Sequence, residues 1–493
     1  MGASSATAAD LLLDGIAAAM AEQRGRPELR DLVLRGLGDA DAVAYRHEVF
    51  RDLEAPGLGV AAERFSAGMA AVHGHLARAA RMPAGLEATR WRLEAAAGYR
   101  DAVAAFAAAL DAAAPVSRGL GGVRVALLAY LGSPGYVAFD AATAQLLAGL
   151  AGVSYDLRIG EDRITVSRHR EAPDYGAEIQ ATFARFGRAE ARPVPVNVFL
   201  TETMNEVEAA ILARIARLHP AVFAALATWG RDHASFLHEG VDALAGELAF
   251  YLGYLGLIAP LRAAGLPFCY PEVSGTNQDV RADGLFDLAL ALRRVPAGEP
   301  VIGNDLDIAS GDRRLVLTGP SQAGKTTFAR AIGQLHHLAA IGCPVPAAAA
   351  RVPLVDAVHT HFDRPENPAD LAGRLEADLR RFQAILESLT GEGLLIMNDS
   401  FASTTLEDAL ALNRSLLDAV ARRGARCVAV TFLGELAAAG AATVSMACVP
   451  NTADPIHPTF RLERRPPDGL VRARAIADLH RLGYAAVRER VGG

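Results

Sequence analysis

The chain has 493 residues, a length typical of about two to four domains. Hydrophobic residues make up 51% of it and charged residues 21%, which excludes a largely disordered chain. The formal net charge of −7 excludes a uniformly basic body that coats nucleic acid, so any contact with DNA must be local.

Neither the N-terminus nor the apolar runs predict export or membrane insertion. Met1 is not followed by a basic segment and an apolar core, so no secretory signal is predicted. The most apolar stretch, residues 248–261, is shorter than the roughly 20 residues of a membrane span and is interpreted as a buried helix. The four cysteines are scattered without a CxxC pair. We therefore expect a cytoplasmic protein without disulfides or structural zinc.

Residues 1–266 are predicted to form a helical domain with a small β-hairpin insert. Apolar residues recur at steps of three and four, as in Phe65, Met69, Val72 and Leu76. Around residues 154–170 the period changes to two, which predicts the hairpin. Helical periodicity returns over residues 203–262.

Four arginines cluster on the predicted hairpin: Arg158, Arg163, Arg168 and Arg170. One interpretation is a basic tip that contacts DNA phosphates. The other is a solvated surface in a chain whose basic residues are almost all arginine. The sequence does not favour either.

Residues 267–283 are rich in Pro, Gly, Ser and Asn and are predicted to form a linker. From 284 to 493, strands and helices alternate, which predicts an α/β domain with a mainly parallel sheet. Short apolar runs predict three of its strands, at 314–318, 394–397 and 427–431. Helices are predicted from the glycine loop after the first strand to about residue 341, and over 406–421.

The glycine loop matches the Walker A pattern G-x-x-x-x-G-K-[ST], between a predicted strand and a predicted helix. Backbone N–H groups of such a loop and the helix N-terminus bind phosphate oxygens. Lys325 would reach the β- and γ-phosphates, and the Thr326 hydroxyl would bind Mg²⁺. The predicted ATP-binding residues are Gly319, Pro320, Ser321, Gln322, Ala323, Gly324, Lys325, Thr326 and Thr327.

The alternative is a glycine-rich turn without function. Against it, Lys325 is the only lysine among 49 basic residues, and it falls at the one position where the pattern demands lysine.

A nucleotide-hydrolysing loop of this kind needs a carboxylate at the end of a neighbouring strand. The run 394–397 is followed by Asn398 and Asp399, where Asp-Glu is the usual form. Asp399 is the predicted catalytic carboxylate. Thr326, Asn398 and Asp399 are the predicted Mg²⁺ site, in which Asn398 contributes an oxygen without a charge.

His359 and His361 lie two residues apart on a predicted strand, a spacing that some metal sites use. We favour a polar strand end near the nucleotide over a metal site.

These residues carry a resemblance to the ATPase domain of the MutS family. Residues 317–327 resemble its TGPNMGGKST, residues 341–347 its G-x-x-V-P-A, residues 385–399 its helix leading to Asp-Glu, residues 398–405 its DEIGRGTS, and residues 304–305 its PND. The helical half is similar, by pattern alone, to the lever domain of that family with a reduced clamp. The resemblance implies ATP and Mg²⁺ as cofactors, a homodimer through the ATPase domain, and a role on mismatched or structured DNA in DNA repair.

The chain departs from the family pattern at four positions. Asn398 and Asp399 replace Asp-Glu, Phe432 replaces the histidine of a Thr-His pair, and Gly373 stands at a serine that acts across the dimer. We also find no counterpart of the mismatch-recognition domain with its Phe-x-Glu wedge.

Two functions follow. The first is a MutS-like, slow, DNA-dependent ATPase that couples its nucleotide state to engagement of mismatched or structured DNA. The alternative is a nucleotide-gated interaction protein with weak hydrolysis and no DNA binding. The resemblance favours the first, whereas the net charge and Asn398 favour the second.

Overall fold

The structure of the protein is a computed structural model that describes residues 4–160, 163–169, 204–363, 373–401, 403–438, 440, 442–451, 454, 457–467 and 480–491. The chain forms two compact units. The first, here called the sheet unit, comprises Met1–Gly59, Pro115–Gly121 and Glu247–Gly493. The second, here called the helical unit, comprises Val60–Ala114 and Gly122–Gly246.

The first half of the chain is helical, as predicted. Its described helices are α1 (Ser5–Asp10), α2 (Leu13–Arg24), α3 (Leu29–Leu34), α4 (Ala40–Glu54), α5 (Leu58–Arg81), α6 (Leu86–Ala113), α7 (Arg118–Leu131), α8 (Pro134–Ala151), α9 (Glu206–Leu218), α10 (Pro220–Asp232) and α11 (Glu239–Ala263). Local signals set several of their ends. At α9, Asn205 and Glu208 form a reciprocal capping box, which satisfies two of the free N–H groups of the first turn.

Aromatic side chains hold the helical unit together. Phe139 and Phe236 stack with ring centroids 5.7 Å apart. The indole N–H of Trp229 on α10 donates to the buried Thr143 hydroxyl on α8 at 3.0 Å, so that its one polar group is satisfied inside the core.

The predicted hairpin is present in the helical unit. β1 (Tyr155–Ile159) pairs antiparallel with β2 (Ile164–Arg168), with Ile159 opposite Ile164. Of the four clustered arginines, Arg168 donates to the carbonyl of Leu218 at 2.9 Å, and Arg170 lies outside the described residues. The hairpin is thus confirmed, and the two interpretations of its arginines both stay open.

The sheet unit holds the remaining described strands and helices. The strands are β3 (Glu272–Ser274), β4 (Val280–Leu285), β5 (Asn304–Ile308), β6 (Arg314–Thr318), β7 (Ala349–Pro353), β8 (Val358–Phe362), β9 (Leu394–Asn398), β10 (Arg426–Val430), β11 (Thr443–Cys448) and β12 (Leu462–Arg464). The helices are α12 (Leu288–Arg294), α13 (Lys325–Ala340), α14 (Arg374–Ser388), α15 (Leu406–Arg422) and α16 (Tyr484–Val491), with short 3-10 turns at Val295–Ala297 and Gly434–Ala438.

The central sheet has six strands in the order β12-β11-β6-β10-β9-β8. All neighbouring pairs are parallel except β11 with β12. Every residue of β10 is buried, as expected for a strand in the middle of a sheet covered on both faces. Since strands of a parallel sheet end at the same edge, β6 and β9 deliver the glycine loop and Asp399 to one edge, with β10 between them.

The segment predicted as a linker, 267–283, is not a simple loop. It contains β3 and the start of β4, which join a second sheet in the order β3-β7-β4-β5. Ser274 explains the irregular pattern, since its hydroxyl accepts hydrogen bonds from the N–H groups of Thr276 and Asn277 in a tight turn between the strands. The prediction failed because the strands are short and their partners are distant in sequence.

The first helices of the chain are part of the sheet unit, where they contact strand β8 and helix α13. The hydroxyl of Thr360 on β8 donates to the Asp10 carboxylate at 2.7 Å, and the amide of Gln334 on α13 donates to the Leu11 carbonyl at 3.0 Å. The compact units therefore do not follow the predicted limits of 1–266 and 284–493. The interpretation of the helical half as a lever stays a prediction.

Among the described residues, α11 alone has the length and apolar composition that a single-helix membrane span requires. The bent pairs α7 with α8 and α9 with α10 qualify only if each pair counts as one span. In α11, 56% of the most apolar window is buried inside the protein. Tyr251 packs edge-on to Phe50 at 4.8 Å, and the Tyr254 hydroxyl donates to the Pro344 carbonyl at 2.5 Å. These contacts favour the buried helix predicted for residues 248–261.

We expect Gly333→Ala to destabilise the sheet unit by about 1–3 kcal/mol, because overpacking of a tight core carries that cost. A Cβ at Gly333 on α13 would lie 2.5 Å from Leu11 and 2.8 Å from Ile396. Gly15→Ala on α2 is the control, since a Cβ there meets nothing within 4 Å. Thermal unfolding should show a lower midpoint only for Gly333→Ala. Equal midpoints for the two variants would contradict the packing of Leu11 on α13.

Candidate nucleotide site

The loop between β6 and α13 is a tight turn that requires glycine at both ends. Gly319 has a φ of 135° and Gly324 a φ of 95°, in the region that side-chain-bearing residues avoid. A Cβ on Gly319 would also lie 2.6 Å from Cys448 Sγ on β11. The two glycines of the motif are therefore demanded by the geometry of the loop.

Lys325 opens α13, and its side chain folds back over the loop. The ammonium donates to the carbonyls of Gly319 and Pro320, both at 2.8 Å. The residue is only 8% exposed. The loop thus holds one positive charge close to its own backbone, and Gly324 at the N-cap leaves the helix start without a side-chain cap.

Thr326 connects the helix to the strand that carries the predicted second motif. Its hydroxyl donates to the Asn398 amide oxygen at 2.8 Å. Two of the three residues predicted to hold Mg²⁺ are therefore in direct contact. Both groups are neutral oxygens, which are acceptable ligands for this hard cation.

Asp399 follows β9 in a left-handed conformation, with a φ of 48°. Its N–H donates to the Val430 carbonyl at 3.0 Å, which fastens the turn to the end of β10. Burial raises the pKa of its carboxyl above the usual range, and the positive charge of Lys325 opposes that rise. The structure therefore brings Asp399 into the electrostatic reach of Lys325.

A cavity of about 240 Å³ adjoins the loop. Gln322, Gly324, Lys325, Thr326 and Thr327 of the predicted set are among its lining residues, as are the charged Asp287 and Arg294. Its apolar lining includes Leu285, Phe286, Leu290, Pro300, Ile302 and Phe460. A lining that combines polar loop residues with apolar side chains suits a ligand with an anionic part and a flat hydrophobic part.

The region around this site matches known proteins. Residues 315–462 match the family model described as MutS domain V. A protein of Chlorobium limicola named DNA mismatch repair protein MutS is 33% identical over 146 residues, which are 29% of this chain and 17% of the relative. One of the same name from Granulibacter bethesdensis is 32% identical over 202 residues, which are 41% of this chain and 22% of the relative.

Residues 315–462 are therefore similar to MutS domain V. The resemblance inferred from the motifs is confirmed for this part of the chain. The matched segments cover less than a quarter of these relatives, so their activity as whole proteins is not carried over to this chain.

Two of the positions that depart from the MutS pattern, Gly373 and Phe432, lie in open or exposed surroundings. A Cβ at Gly373 would meet nothing within 4 Å, so a serine would fit there but is absent. Thr431 is buried and its hydroxyl accepts a hydrogen bond from the Leu433 N–H, whereas Phe432 is 58% exposed. The neighbouring residues 364–372 lie outside the described part of the chain.

Three residues at this site were missed by sequence reasoning. Cys448 packs beneath Gly319, and Phe460 lies against Gly324, at 3.4 Å from where a Cβ would stand. Asn304 binds the segment around Phe460, since its amide donates to the Phe460 carbonyl at 3.1 Å. Only Asn304 carried a signal, as part of the PND resemblance.

His361 also lies at this edge of the sheet. Its Nδ1 lies 3.2 Å from Ser400 Oγ and its Nε2 3.3 Å from Asp378 Oδ1. Burial lowers the pKa of His359, two residues earlier. In the described part of the chain, no group of three or more His, Cys, Asp or Glu side chains is placed to hold a metal.

Proposed function

We propose that the chain is a MutS-like ATP-binding protein that hydrolyses ATP slowly. One observation carries the proposal: the only lysine lies in a glycine loop between β6 and α13, and the next residue is bound to the strand end that carries Asp399. The match of residues 315–462 to MutS domain V supports the same assignment.

The triphosphate would be held by the loop residues 319–327 and by the N-terminus of α13. Lys325 would exchange its two carbonyl partners for β- and γ-phosphate oxygens. Since these carbonyls already point at the ammonium, the side chain needs only a short movement. The cavity beside the loop would take the base against its apolar wall.

Thr326, Asn398 and Asp399 would hold Mg²⁺, which neutralises phosphate charge when bound. The 2.8 Å hydrogen bond from the Thr326 hydroxyl to the Asn398 amide oxygen supports this role, because it places the two oxygens side by side. Asp399 would orient and polarise the attacking water. Its carboxylate is one methylene shorter than that of the glutamate expected there, which accounts for slow turnover.

The assembly we propose is a homodimer through the ATPase region, in the cytoplasm. In this proposal the helical unit acts as a lever, and the hairpin with Arg158, Arg163 and Arg168 engages mismatched or structured DNA. The alternative function, a nucleotide-gated interaction protein without DNA binding, is favoured by the net charge of −7.

Binding to DNA separates the two functions. We expect fluorescence anisotropy to detect binding to mismatched or branched duplexes that differs between ADP and ATP and weakens steeply with salt, as phosphate contacts do. A triple change of Arg158, Arg163 and Arg168 to Gln should abolish it. Absence of binding to every duplex in both nucleotide states would reject the first function and leave the alternative.

Lys325→Met should weaken ATP binding by at least about tenfold, because a charge-assisted hydrogen bond to phosphate contributes roughly 1.5–3 kcal/mol. The methionine keeps most of the aliphatic stem, so the loop should keep its packing. Titration calorimetry with a non-hydrolysable ATP analogue measures the effect. Arg313→Ala, which removes one positive charge just before β6, is the control and should bind as the wild type does. Undiminished affinity in Lys325→Met would refute the assignment of the loop.

Asn398→Asp combined with Asp399→Glu should raise the rate of ATP hydrolysis. The first change adds a charged ligand for Mg²⁺, and the second brings a carboxylate closer to the attacking water. A misplacement of about 1 Å can cost on the order of 10²-fold, so a gain of tenfold or more is expected. Asp399→Ala should remove the remaining activity. Brisk hydrolysis by the wild type that survives Asp399→Ala would place the catalytic carboxylate elsewhere.

A further inference from the structure

The turn after β9 is backbone-strained. Asp399 and Phe401 have φ values of 48° and 61°, in the left-handed region that residues with side chains adopt at a cost. Two such residues in a stretch of three persist only when the surroundings hold them there. The direction of the Asp399 side chain depends on this turn, because its backbone sets where the Cα–Cβ bond points.

Side chains from α15 and β8 hold Ser400, the residue between Asp399 and Phe401. The amide of Asn413 on α15 donates to the Ser400 carbonyl at 3.3 Å. The Ser400 hydroxyl, which is buried, lies 3.2 Å from Nδ1 of His361 on β8. Ser400 is therefore bound through its backbone on one side and its side chain on the other.

His361 is itself fixed in orientation. Its ring is 1% exposed and stacks on Phe382 of α14, with centroids 3.8 Å apart and planes inclined by 21°. Phe382 in turn contacts Phe401 at 5.1 Å between ring centroids. The imidazole thus supports the strained turn twice, through Ser400 and through the ring of Phe382.

The partners of His361 assign its tautomer. Its Nε2 lies 3.3 Å from the Asp378 carboxylate, an ion-pair contact without hydrogen-bond geometry, and the negative charge there favours a proton on Nε2. Nδ1 is then the acceptor for the Ser400 hydroxyl. Asp378, His361 and Ser400 therefore lie in series, joined by an ion-pair contact at Nε2 and a hydrogen bond at Nδ1.

We propose that His361 is a positioning residue for Asp399: through Ser400 and Phe382 it holds the strained turn that aims the catalytic carboxylate at the nucleotide. The proposal rests on the proposed function of Asp399. His361 is not among the residues that line the cavity beside the loop, so we expect it to act on hydrolysis rather than on ATP binding.

Two substitutions of His361 separate its contact with Ser400 from its contact with Asp378. Asn at 361 places an amide oxygen near the position of Nδ1, so His361→Asn keeps an acceptor for Ser400 and loses the reach to Asp378. His361→Gln keeps that reach and loses the acceptor. The proposal predicts that the asparagine variant retains more activity than the glutamine variant, although glutamine is closer to histidine in length.

Steady-state ATP hydrolysis is the first measurement. We expect His361→Gln and His361→Ala to lower kcat by about tenfold or more, as sub-ångström to 1 Å misplacement of a catalytic group does, and His361→Asn by about threefold. The KM for ATP should stay within about twofold in all three variants. His359→Ala on the same strand is the control and should match the wild type. Equal rates in the glutamine and asparagine variants, or a change in KM alone, would overturn the proposal.

Hydrogen exchange of the nucleotide-free protein is the second measurement, and it does not need activity. His361→Ala should speed exchange in the peptide covering 399–401 by at least about tenfold, because the turn loses its support, and leave β6 and α13 unchanged. Unchanged exchange at the turn would overturn the proposal. A rise spread equally over β6 and α13 would also overturn it, since His361 would then only stabilise the fold. The wild type could also fail to hydrolyse ATP while His361→Ala still speeds exchange at the turn. That result would reject the proposed function but would still show that His361 supports the turn.

Discussion

A single ammonium group, that of Lys325, is held in a largely buried position at the edge of the central sheet. Burial of a charge is costly unless dipoles or an opposite charge stabilise it. Two loop carbonyls supply the dipoles, and Asp399 lies within electrostatic reach. This arrangement requires the loop to turn back on itself, which in turn requires Gly319 and Gly324 at positive φ. The close approach of Cys448 to Gly319 is a further consequence, because the turned loop rests directly on β11.

The order of the strands in the sheet determines which groups lie near the Lys325 ammonium. β10 lies between β6 and β9, so the loop and Asp399 leave strands that are not neighbours. Two contacts bridge the gap. Thr326 binds Asn398, and the Asp399 N–H binds the carbonyl of Val430 at the end of β10. The geometry of the site thus depends on the register of the parallel strands β6, β10 and β9. A shift of β10 would move both the loop after β6 and Asp399 after β9.

Local patterns in the sequence were enough to predict the helical first half, the hairpin, the loop with its flanking strand and helix, and β9 and β10. Each of these is encoded by consecutive residues. Contacts between distant residues were not predictable in this way. No periodicity places Cys448 beneath the loop, joins β3 to β7, or brings Leu11 onto α13.

His361 illustrates the same limit at the site. Its spacing from His359 suggested a metal ligand or a polar strand end, because the sequence shows only neighbours along the strand. Its actual partners, Ser400 and Asp378, come from the next strand end and from α14. The left-handed conformations of Asp399 and Phe401 were not predicted either, since aspartate adopts that region only occasionally and phenylalanine rarely.

The number of carboxylates at the end of β9, near Lys325, bears on both functions considered for the chain. An Asp-Glu pair would place two carboxylates at the end of β9, whereas Asn398 and Asp399 supply one. One negative charge fewer weakens the hold on Mg²⁺, but it also reduces the repulsion of a nucleotide that carries several negative charges. In the proposed function, slow hydrolysis and long retention of the nucleotide would therefore have the same physical origin. A protein that remains in its ATP-bound state for long periods is suited to signal that state to a partner, whether DNA or protein, more than to turn over quickly. The substitution at 398 is thus consistent with a molecule whose nucleotide is held as a structural signal and consumed only slowly.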